Sequence, residues 1–321
     1  YSTTVAFEPL AAQEKWSWVW KALVFAAFLP LLLKTRLRIE ALALTLVLCA
    51  SALIVTGGIK TALGGGGYGS LVLLINDNSG LYEGSIISCV AIAIIPLIVW
   101  LAQHGTIFKP DWKVKTYATA LTFAALLIPV GTQARTGLVC IAVLALLFIR
   151  QTKRRFLYLT GAAVIGLAAI PFLPSAFSQR METIQDYKAD ESAATRVAVW
   201  KWTWEFVKEH PFGGGFDAYR INKIRYDLPV VDENGFDTGA VDRREIVDQG
   251  RAYHSSFFEM LGEQGFPGLI IWLLIHVGGV WRMEMVARLY KKRNRADESW
   301  VAPLATALQN AQIIYLVGSL F

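Results

Sequence analysis

Long apolar segments separated by short polar loops constrain this chain more than any other feature. Eight segments are long enough, or nearly long enough, to cross a bilayer: Trp18–Leu33, Ile39–Val55, Ser85–Ala102, Tyr117–Val130, Thr136–Ile149, Phe156–Leu173, Phe266–Trp281 and Trp300–Phe321. They approach the roughly 20 residues of a helical span and lack the roughly ten-residue alternation of membrane β-strands. The sequence therefore predicts an all-α fold, a polytopic transmembrane helical bundle.

The composition supports a membrane protein and excludes two other classes. Hydrophobic residues make up 55% of the chain and charged residues 17%, whereas about 25% of a soluble domain is charged. The net charge is +6, but the positive side chains lie in short loops between apolar segments, so we predict no nucleic-acid partner. Cys49, Cys89 and Cys140 lie inside apolar segments without metal-ligand spacing, which predicts buried thiols rather than disulfides or a metal site.

Basic residues alternate between the loops and predict the orientation. They follow the first, third, fifth and seventh segments, at Lys34, Arg36, Arg38, Lys109, Lys113, Lys115, Arg150, Lys153, Arg154, Arg155, Arg282, Arg288, Lys291, Lys292, Arg293 and Arg295. Because such residues favour the cytoplasmic side, the other loops face the exterior, including glycine-rich Gly57–Gly80. The predicted organisation is transmembrane helices over residues 1–173, an exterior loop domain over residues 174–265 and C-terminal transmembrane helices over residues 266–321.

The long exterior loop contains one clear amphipathic helix, predicted over Ser192–His210. Its apolar face has helical spacing, with Ser192 as the N-cap and Pro211 as the stop; the face is formed by Ala193, Val197, Trp200, Trp204 and Val207. Its tryptophans favour a position at the membrane interface, and a soluble cap over the bundle is the alternative. The stretch Pro229–Gly250 is polar and contains glycine, which predicts a loop or lid.

Two exterior arginines occupy unusual positions. Arg135 lies between two apolar segments, where a guanidinium is costly unless it faces a cavity or an anion. An anionic ligand is one interpretation, and a lipid head group or a structural ion pair is the other. Arg196 lies one turn before Trp200 and either points into the space above the bundle or extends to lipid head groups.

Of the four histidines, only His254 lies at the exterior start of a membrane-directed helix, flanked by Tyr253, Ser255 and Ser256. An imidazole there can accept a proton at neutral pH, which makes His254 the candidate general base. Glu259 and Glu263 follow at one and two turns, where they either orient the histidine or pair with a loop arginine.

Motifs for metal, nucleotide or serine-hydrolase chemistry are absent from the sequence. What remains is guanidinium groups and one histidine at the outer face of a helical bundle. Arginine binds phosphate bidentately, so the pattern favours a lipid-linked pyrophosphate sugar whose pyrophosphate leaves as His254 deprotonates an acceptor hydroxyl. A single displacement would invert the anomeric centre. A transporter or lipid-binding protein that holds an anion with these arginines is the alternative.

Three stretches resemble the O-antigen ligase superfamily: "QARTG" at Gln133–Gly137, "TRVAVWKWTWEFVKEHPFGGGFDAY" at Thr195–Tyr219 and "YHSSFFEMLGEQGFPG" at Tyr253–Gly268. The resemblance implies a GT-C-like bundle with a large helical periplasmic loop, and a metal-independent, inverting glycosyltransferase without a cofactor. It implies that Arg135 and Arg196 bind the donor pyrophosphate and that His254 is catalytic. Ser255 departs from the asparagine of many members, which affects the acceptor assignment and not the base.

The resemblance also implies partners and a location. The donor would be an undecaprenyl-pyrophosphate-linked glycan and the acceptor the lipid A-core of lipopolysaccharide, at the periplasmic face of the bacterial inner membrane among membrane lipids. Protein O-oligosaccharyltransferase and O-antigen polymerase activities differ only in the acceptor. Arg251, Tyr253 and Arg220 are predicted supporting residues. Members usually have more spans than the eight segments here, which implies that this chain is part of a longer protein.

Overall fold

The computed structural model describes residues 2–64, 83–150, 160, 191–229 and 243–321. As far as they are described, the residues form two compact units. The loop unit contains Tyr1–Leu32 and Met181–Ile275, and the bundle unit contains Leu33–Arg180 and His276–Ser319. The predicted span Phe156–Leu173 and most of the glycine-rich loop lie outside the described residues.

Helices dominate the described residues. They are α1 (Pro9–Leu32), α2 (Arg36–Ala62), α3 (Gly84–Ala93), α4 (Ile95–His104), α5 (Trp112–Thr132), α6 (Arg135–Arg150), α7 (Glu191–Glu209), α8 (Ser256–Arg293) and α9 (Val301–Gly318). Within this part of the chain, five helical stretches are long and apolar enough to cross a membrane: α1, α2, α3 with α4, α5 and α8. The prediction of an all-α, polytopic membrane protein is confirmed, whereas the membrane orientation and the three domain boundaries stay predictions.

Of the predicted spans, the third is interrupted and the fifth is shorter than an untilted span. The third consists of α3 and α4, which meet at Ile94 shortly before Pro96, because proline lacks an N–H and interrupts helical hydrogen bonding. The fifth, α6, has 16 residues and rises about 24 Å, which is less than the roughly 30 Å of an untilted span.

The bundle unit is held together by caps and by close helix contacts. The Asp111 side chain accepts a hydrogen bond of 2.8 Å from the N–H of Val114 and so caps the start of α5. A Cβ on Gly58 of α2 would lie 2.8 Å from the Cβ of Ala124 on α5, so the small residues let these helices approach closely. Its core includes Ile54, Ile92, Leu121, Ile128 and Ile314, each at most 2% exposed.

The loop unit contains a short antiparallel sheet next to α7. Strand β1 (Lys223–Pro229) pairs with β2 (Arg243–Gln249) in the register Lys223↔Gln249. Ile224 and Tyr226 of β1 are buried with Val199 of α7. The prediction of a loop over Pro229–Gly250 is wrong for β2, because pairing with β1 satisfies its backbone; residues 230–242 lie outside the described part.

The predicted amphipathic helix is confirmed as α7, with two corrections. It begins at Glu191, so Ser192 lies inside the first turn and is not the N-cap. Its buried stripe is Val199, Thr203 and Val207, whereas Val197 and Trp204 are 46% and 48% exposed. The stripe differs because Val199 packs against the sheet. Whether α7 lies at a membrane interface stays a prediction.

Candidate functional site

Arg135 is the first residue of α6 and directly follows a tight turn. Helix α5 ends at Thr132, Gln133 takes a left-handed conformation with φ of 53°, and α6 begins two residues later. Thr132, Gln133 and Thr136 are buried, whereas Arg135 is partly exposed. A helix N-terminus carries partial positive charge, so the helix and the guanidinium both favour an anion at this turn.

A close contact between helices explains the glycine at the end of the Gln133–Gly137 stretch. A Cβ on Gly137 would lie 2.6 Å from the Pro129 side chain and 2.8 Å from the Cβ of Ser88. Ser88 also shares a hydrogen bond of 2.8 Å with the Thr132 hydroxyl. Because only glycine allows this approach, the residue holds the start of α6 against α3 and α5.

His254 lies at the end of the segment that connects β2 to α8. Its φ of 47° is left-handed, a region in which histidine occurs several-fold more often than most side chains. The imidazole is exposed, whereas Tyr253 and Ser255 on either side are 3% and 6% exposed. The turn therefore presents the histidine outward from a buried backbone.

Asn222, the residue before β1, holds the same segment. Its side chain is 0% exposed; Nδ2 donates to the Arg251 carbonyl at 2.7 Å, and Oδ1 accepts from the Arg251 N–H at 3.0 Å. The Asn222 carbonyl accepts from the N–H of Gly250 at 3.1 Å. These bonds replace those of a neighbouring strand, and they fix the chain three residues before His254.

Trp200 of α7 holds the turn at two points. Its indole Nε1 donates to the Tyr253 carbonyl at 2.9 Å, and its ring stacks on Phe258 with centroids 4.9 Å apart and 4° between the planes. Tyr253 precedes His254, and Phe258 lies in the first turn of α8. Arg196 lies one helical turn, about 6 Å, before Trp200, so these contacts connect the helix that carries Arg196 to the turn that carries His254.

Arg196 has a buried nitrogen without a hydrogen-bond partner among the described residues. The guanidinium is partly exposed, but its Nε is buried and makes no hydrogen bond within the described part of the chain. Buried polar groups in folded proteins are rarely left unsatisfied. A phosphate oxygen is one acceptor suited to this nitrogen.

Glu259 and Glu263 have a partner that neither sequence interpretation named. The ammonium of Lys15, in α1, lies 2.8 Å from Glu259 Oε1, 2.7 Å from Glu263 Oε1 and 3.4 Å from Asp217 Oδ1. The N–H of Asp217 also donates to Glu263 at 2.9 Å. The Glu263 side chain is only 5% exposed. The ion cluster joins α1 and Asp217 to the first turns of α8.

The Tyr253 phenol is buried beneath the His254 turn. Its hydroxyl makes no hydrogen bond within the described residues, and a Cβ on Gly262 would lie 2.3 Å from it. Burial raises the pKa of the Tyr253 phenol well above its ordinary value, and the nearby carboxylates of Glu263 and Glu259 raise it further. Tyr253 therefore stays protonated and supports the turn as a packed ring rather than as an acid or base.

Two glycine-rich stretches meet backbone to backbone. The N–H groups of Gly214 and Gly215 donate to the carbonyls of Gly262 and Glu263, each at 2.9 Å. Gly265 has φ of 65°, and a Cβ there would lie 2.1 Å from a backbone oxygen of the facing stretch. These contacts give a physical reason for the glycines in both the Thr195–Tyr219 and Tyr253–Gly268 stretches.

The supporting arginines are exposed and paired. Arg251 Nε donates to Asp248, and Arg220 lies 3.4 Å from Asp217 with 48% of its side chain exposed. The loop unit thus brings together five of the predicted site residues: Arg196, Arg220, Arg251, Tyr253 and His254. Arg135 belongs to the bundle unit.

Sequence reasoning missed the roles of Lys15, Asn222 and Trp200. A lysine ahead of an apolar segment could have signalled an ion pair, because its position disfavours an unpaired charge. Asn222 and Trp200 carried no comparable signal, since their partners are backbone groups distant in sequence. Within the described residues, no group of three or more histidine, cysteine or acidic side chains could hold a metal ion.

Two family models match the chain. Residues 120–273 match the family described as O-antigen ligase, a range that includes Arg135, Arg196 and His254. Residues 1–106 match a family of unknown function, DUF5935, a range that includes Lys15. Neither a curated protein nor a solved structure is similar enough to count as a match.

Proposed function

Because residues 120–273 match the family described as O-antigen ligase, we propose that the chain is an O-antigen ligase. It would transfer polysaccharide from undecaprenyl pyrophosphate to a hydroxyl of the lipid A-core, at the periplasmic face of the inner membrane. The observation that carries the proposal is the exposed His254, whose turn is fixed by Trp200 and Asn222. The same unit contains the buried Nε of Arg196, which has no hydrogen-bond partner among the described residues.

His254 is the proposed catalytic base. Its side chain is exposed on a turn whose neighbours are buried, so an acceptor hydroxyl can reach the imidazole without rearrangement of the backbone. The acceptor oxygen forms a bond to the anomeric carbon as its proton passes to an imidazole nitrogen. The bond from that carbon to the pyrophosphate oxygen breaks in the same step, which inverts the configuration.

Arg135 and Arg196 are the proposed pyrophosphate ligands. Negative charge develops on the leaving pyrophosphate, and a fixed guanidinium stabilises developing charge without reorganisation. Arg135 adds the partial charge of the α6 N-terminus, and the unsatisfied Nε of Arg196 supplies a donor. These residues would supply the charge that a divalent metal supplies elsewhere, which is why the reaction is proposed to be metal-independent.

A transfer assay tests the proposal. Purified protein receives a polyprenyl-pyrophosphate glycan and lipid A-core in the presence of EDTA, and the glycosylated product is quantified. We expect product with EDTA, and a loss of about 10²–10⁴-fold in His254→Ala. Full activity of His254→Ala, or complete inhibition by EDTA, would reject the mechanism.

Two additional arms sharpen the assay. Arg135→Lys keeps the charge but not the bidentate geometry, so it should lose most of its activity, whereas full activity would show that charge alone is required. Offering a serine-containing peptide or a second glycan in place of lipid A-core tests the protein-glycosylating and polymerase alternatives. Preference for either of these acceptors would replace the ligase assignment and retain the donor chemistry.

A further inference from the structure

An apolar cavity in the bundle unit is lined by none of the residues assigned to glycan transfer. It has a volume of about 380 Å³ and is formed by α2, α4, α5 and the loop that follows α4. Its lining is almost entirely apolar and includes Val47, Leu48, Ile98, Phe108, Tyr117 and Leu121. The volume lies within the range of roughly 300–1,000 Å³ for small-molecule sites.

The cavity runs along the direction of a lipid chain. Its lining residues extend from Lys113 to Leu121 on α5 and from Glu40 to Leu48 on α2, about 12 Å in each helix. That length approaches the half-thickness of a bilayer core, which is roughly 15 Å. Leu48 and Phe108 are 48% and 57% exposed, so the cavity opens toward the surrounding lipid.

One end of the cavity carries positive charge at interface level. Lys113 lines this end, and its ammonium lies 5.9 Å from the ring of Trp112, which is 72% exposed. Exposed tryptophans are typical of the membrane–water interface. Lys109 and Lys115 lie on the same loop and first turn, so a negative charge held at the mouth would meet a basic neighbourhood.

The acidic residue at this end is held by hydrogen bonds to the loop that follows α4. Glu40 is 1% exposed, and both of its oxygens are occupied. Oε1 accepts from the N–H groups of Thr106 and Ile107 at 2.5 and 2.7 Å, and Oε2 accepts from the Thr106 hydroxyl at 2.6 Å. Glu40 therefore shapes the loop over the cavity, and Lys113 is the basic side chain in its lining.

We propose that this cavity binds one acyl chain of an anionic glycerophospholipid, with the lipid phosphate at Lys113. The apolar walls select a hydrocarbon chain, and the lysine at interface depth selects a negatively charged head group. The site is independent of the proposed glycan transfer, because none of its lining residues is assigned to that reaction.

The test measures lipid retention on the full chain in detergent. The protein is delipidated and then mixed with phosphatidylglycerol or with phosphatidylcholine of the same acyl chains, and bound lipid is counted by native mass spectrometry. We expect phosphatidylglycerol to bind about fivefold more tightly, the preference expected for one lysine near the head group. Equal binding of the two lipids would overturn the proposal, as would equal binding of glycerol phosphate without chains.

Two pairs of variants locate the site. Ala118→Phe fills the cavity and should abolish retention of phosphatidylglycerol, whereas Ala120→Phe, an exposed position outside the lining, should not. Lys113→Gln should remove the preference for phosphatidylglycerol, whereas Lys115→Gln should leave most of it. Unchanged lipid binding in Ala118→Phe or unchanged preference in Lys113→Gln would overturn the proposal; if Ala118→Phe does not fold, the lysine pair decides.

Discussion

Removing Lys15 should destabilise the loop unit far more than a typical surface substitution. In Lys15→Met, Glu263 loses an ammonium 2.7 Å from its Oε1. The Glu263 side chain is 5% exposed, so water cannot replace the lost partner. The carboxylate keeps only the N–H of Asp217, at 2.9 Å, among the hydrogen bonds of its ion cluster.

The magnitude follows from how deeply each partner is buried. Breaking a buried ion pair by removing one member costs about 3–5 kcal/mol, because a buried charge is left uncompensated. Glu259 adds little, since its side chain is 46% exposed and exposed pairs contribute about 0–1 kcal/mol. Burial raises the pKa of Glu263 to about 7, so the carboxyl can take up a proton near neutral pH when Lys15 is lost. Lys15→Met should therefore lower the free energy of unfolding by about 3–5 kcal/mol at pH 9, where Glu263 is charged, and by less at pH 7.

Equilibrium unfolding in detergent micelles measures the effect, with Lys21→Met as the matched control on α1. Lys21 is exposed, so its replacement should change the free energy of unfolding by at most about 0.5 kcal/mol. Glu263→Gln should rescue Lys15→Met in part, because the double variant no longer buries an unpaired charge. A Lys15→Met variant as stable as Lys21→Met, or strictly additive effects in the double variant, would show that Lys15 does not compensate a buried charge on Glu263.

Three further predictions concern residues around the His254 turn. Trp200→Phe keeps the stacked ring but removes the indole donor to the turn, so kcat for glycan transfer should fall about 2- to 10-fold with the donor KM little changed. Trp204→Phe, at an exposed position, is the control. Equal effects of the two substitutions would argue against a positioning role of Trp200. Tyr253→Phe should be as stable as the parent or more stable, because the lost hydroxyl has no partner among the described residues. Since burial raises the pKa of this phenol, the folded protein holds the proton more tightly than the unfolded chain does. The parent should therefore lose stability as pH rises above about 10. Unfolding measured at pH 9 to 11 should show a smaller loss of stability in Tyr253→Phe. Gly265→Ala adds a Cβ 2.1 Å from a backbone oxygen at φ of 65° and should lower the free energy of unfolding by about 2–6 kcal/mol, measured by thermal unfolding. Gly279→Ala adds a Cβ with nothing within 4 Å and should stabilise α8 slightly. Similar stabilities of the two variants would contradict the backbone contact at Gly265.

Hydropathy and periodicity predict the helices because apolar segments of this length have few other folds in a membrane. The spans around α2, α5 and α8 follow from their apolar length alone, and α7 follows from its helical spacing and Pro211. The exact buried face of α7 did not follow, because it depends on where Val199 meets β1. Side-chain spacing shows that a face exists but does not show which neighbour covers it.

The short sheet was the main error in the fold prediction. Arg243–Gln249 is polar and charged, and such a stretch is typical of a loop when read alone. A signal was present in β1, where Ile224 and Tyr226 alternate with Lys223 and Arg225 in the period of a half-buried strand. Its partner strand could not be identified from the sequence, because residues 230–242 separate the two strands along the chain and only the folded structure shows that they pair.

The candidate site was predicted residue by residue but not as an arrangement. Arg135 stood out because charge is costly near apolar segments. Arg196 stood out by its position on the amphipathic helix, and His254 by its position among hydroxyl groups at the exterior start of a helix. Lys15 and Asn222 did not, because their partners are 248 and 29 residues away along the chain. Long-range contacts of this kind are visible only when the fold is known.

Chemical rescue of His254→Ala directly tests the proposal that His254 is the catalytic base of glycan transfer. The parent imidazole is exposed, so its truncation leaves a space that dissolved imidazole can enter. We expect His254→Ala to transfer glycan about 10²–10⁴-fold more slowly than the parent. Added imidazole should restore part of the rate in this variant and none in Arg135→Ala. A His254→Ala variant with the parent rate of glycan transfer in the absence of imidazole would show that His254 is not the catalytic base.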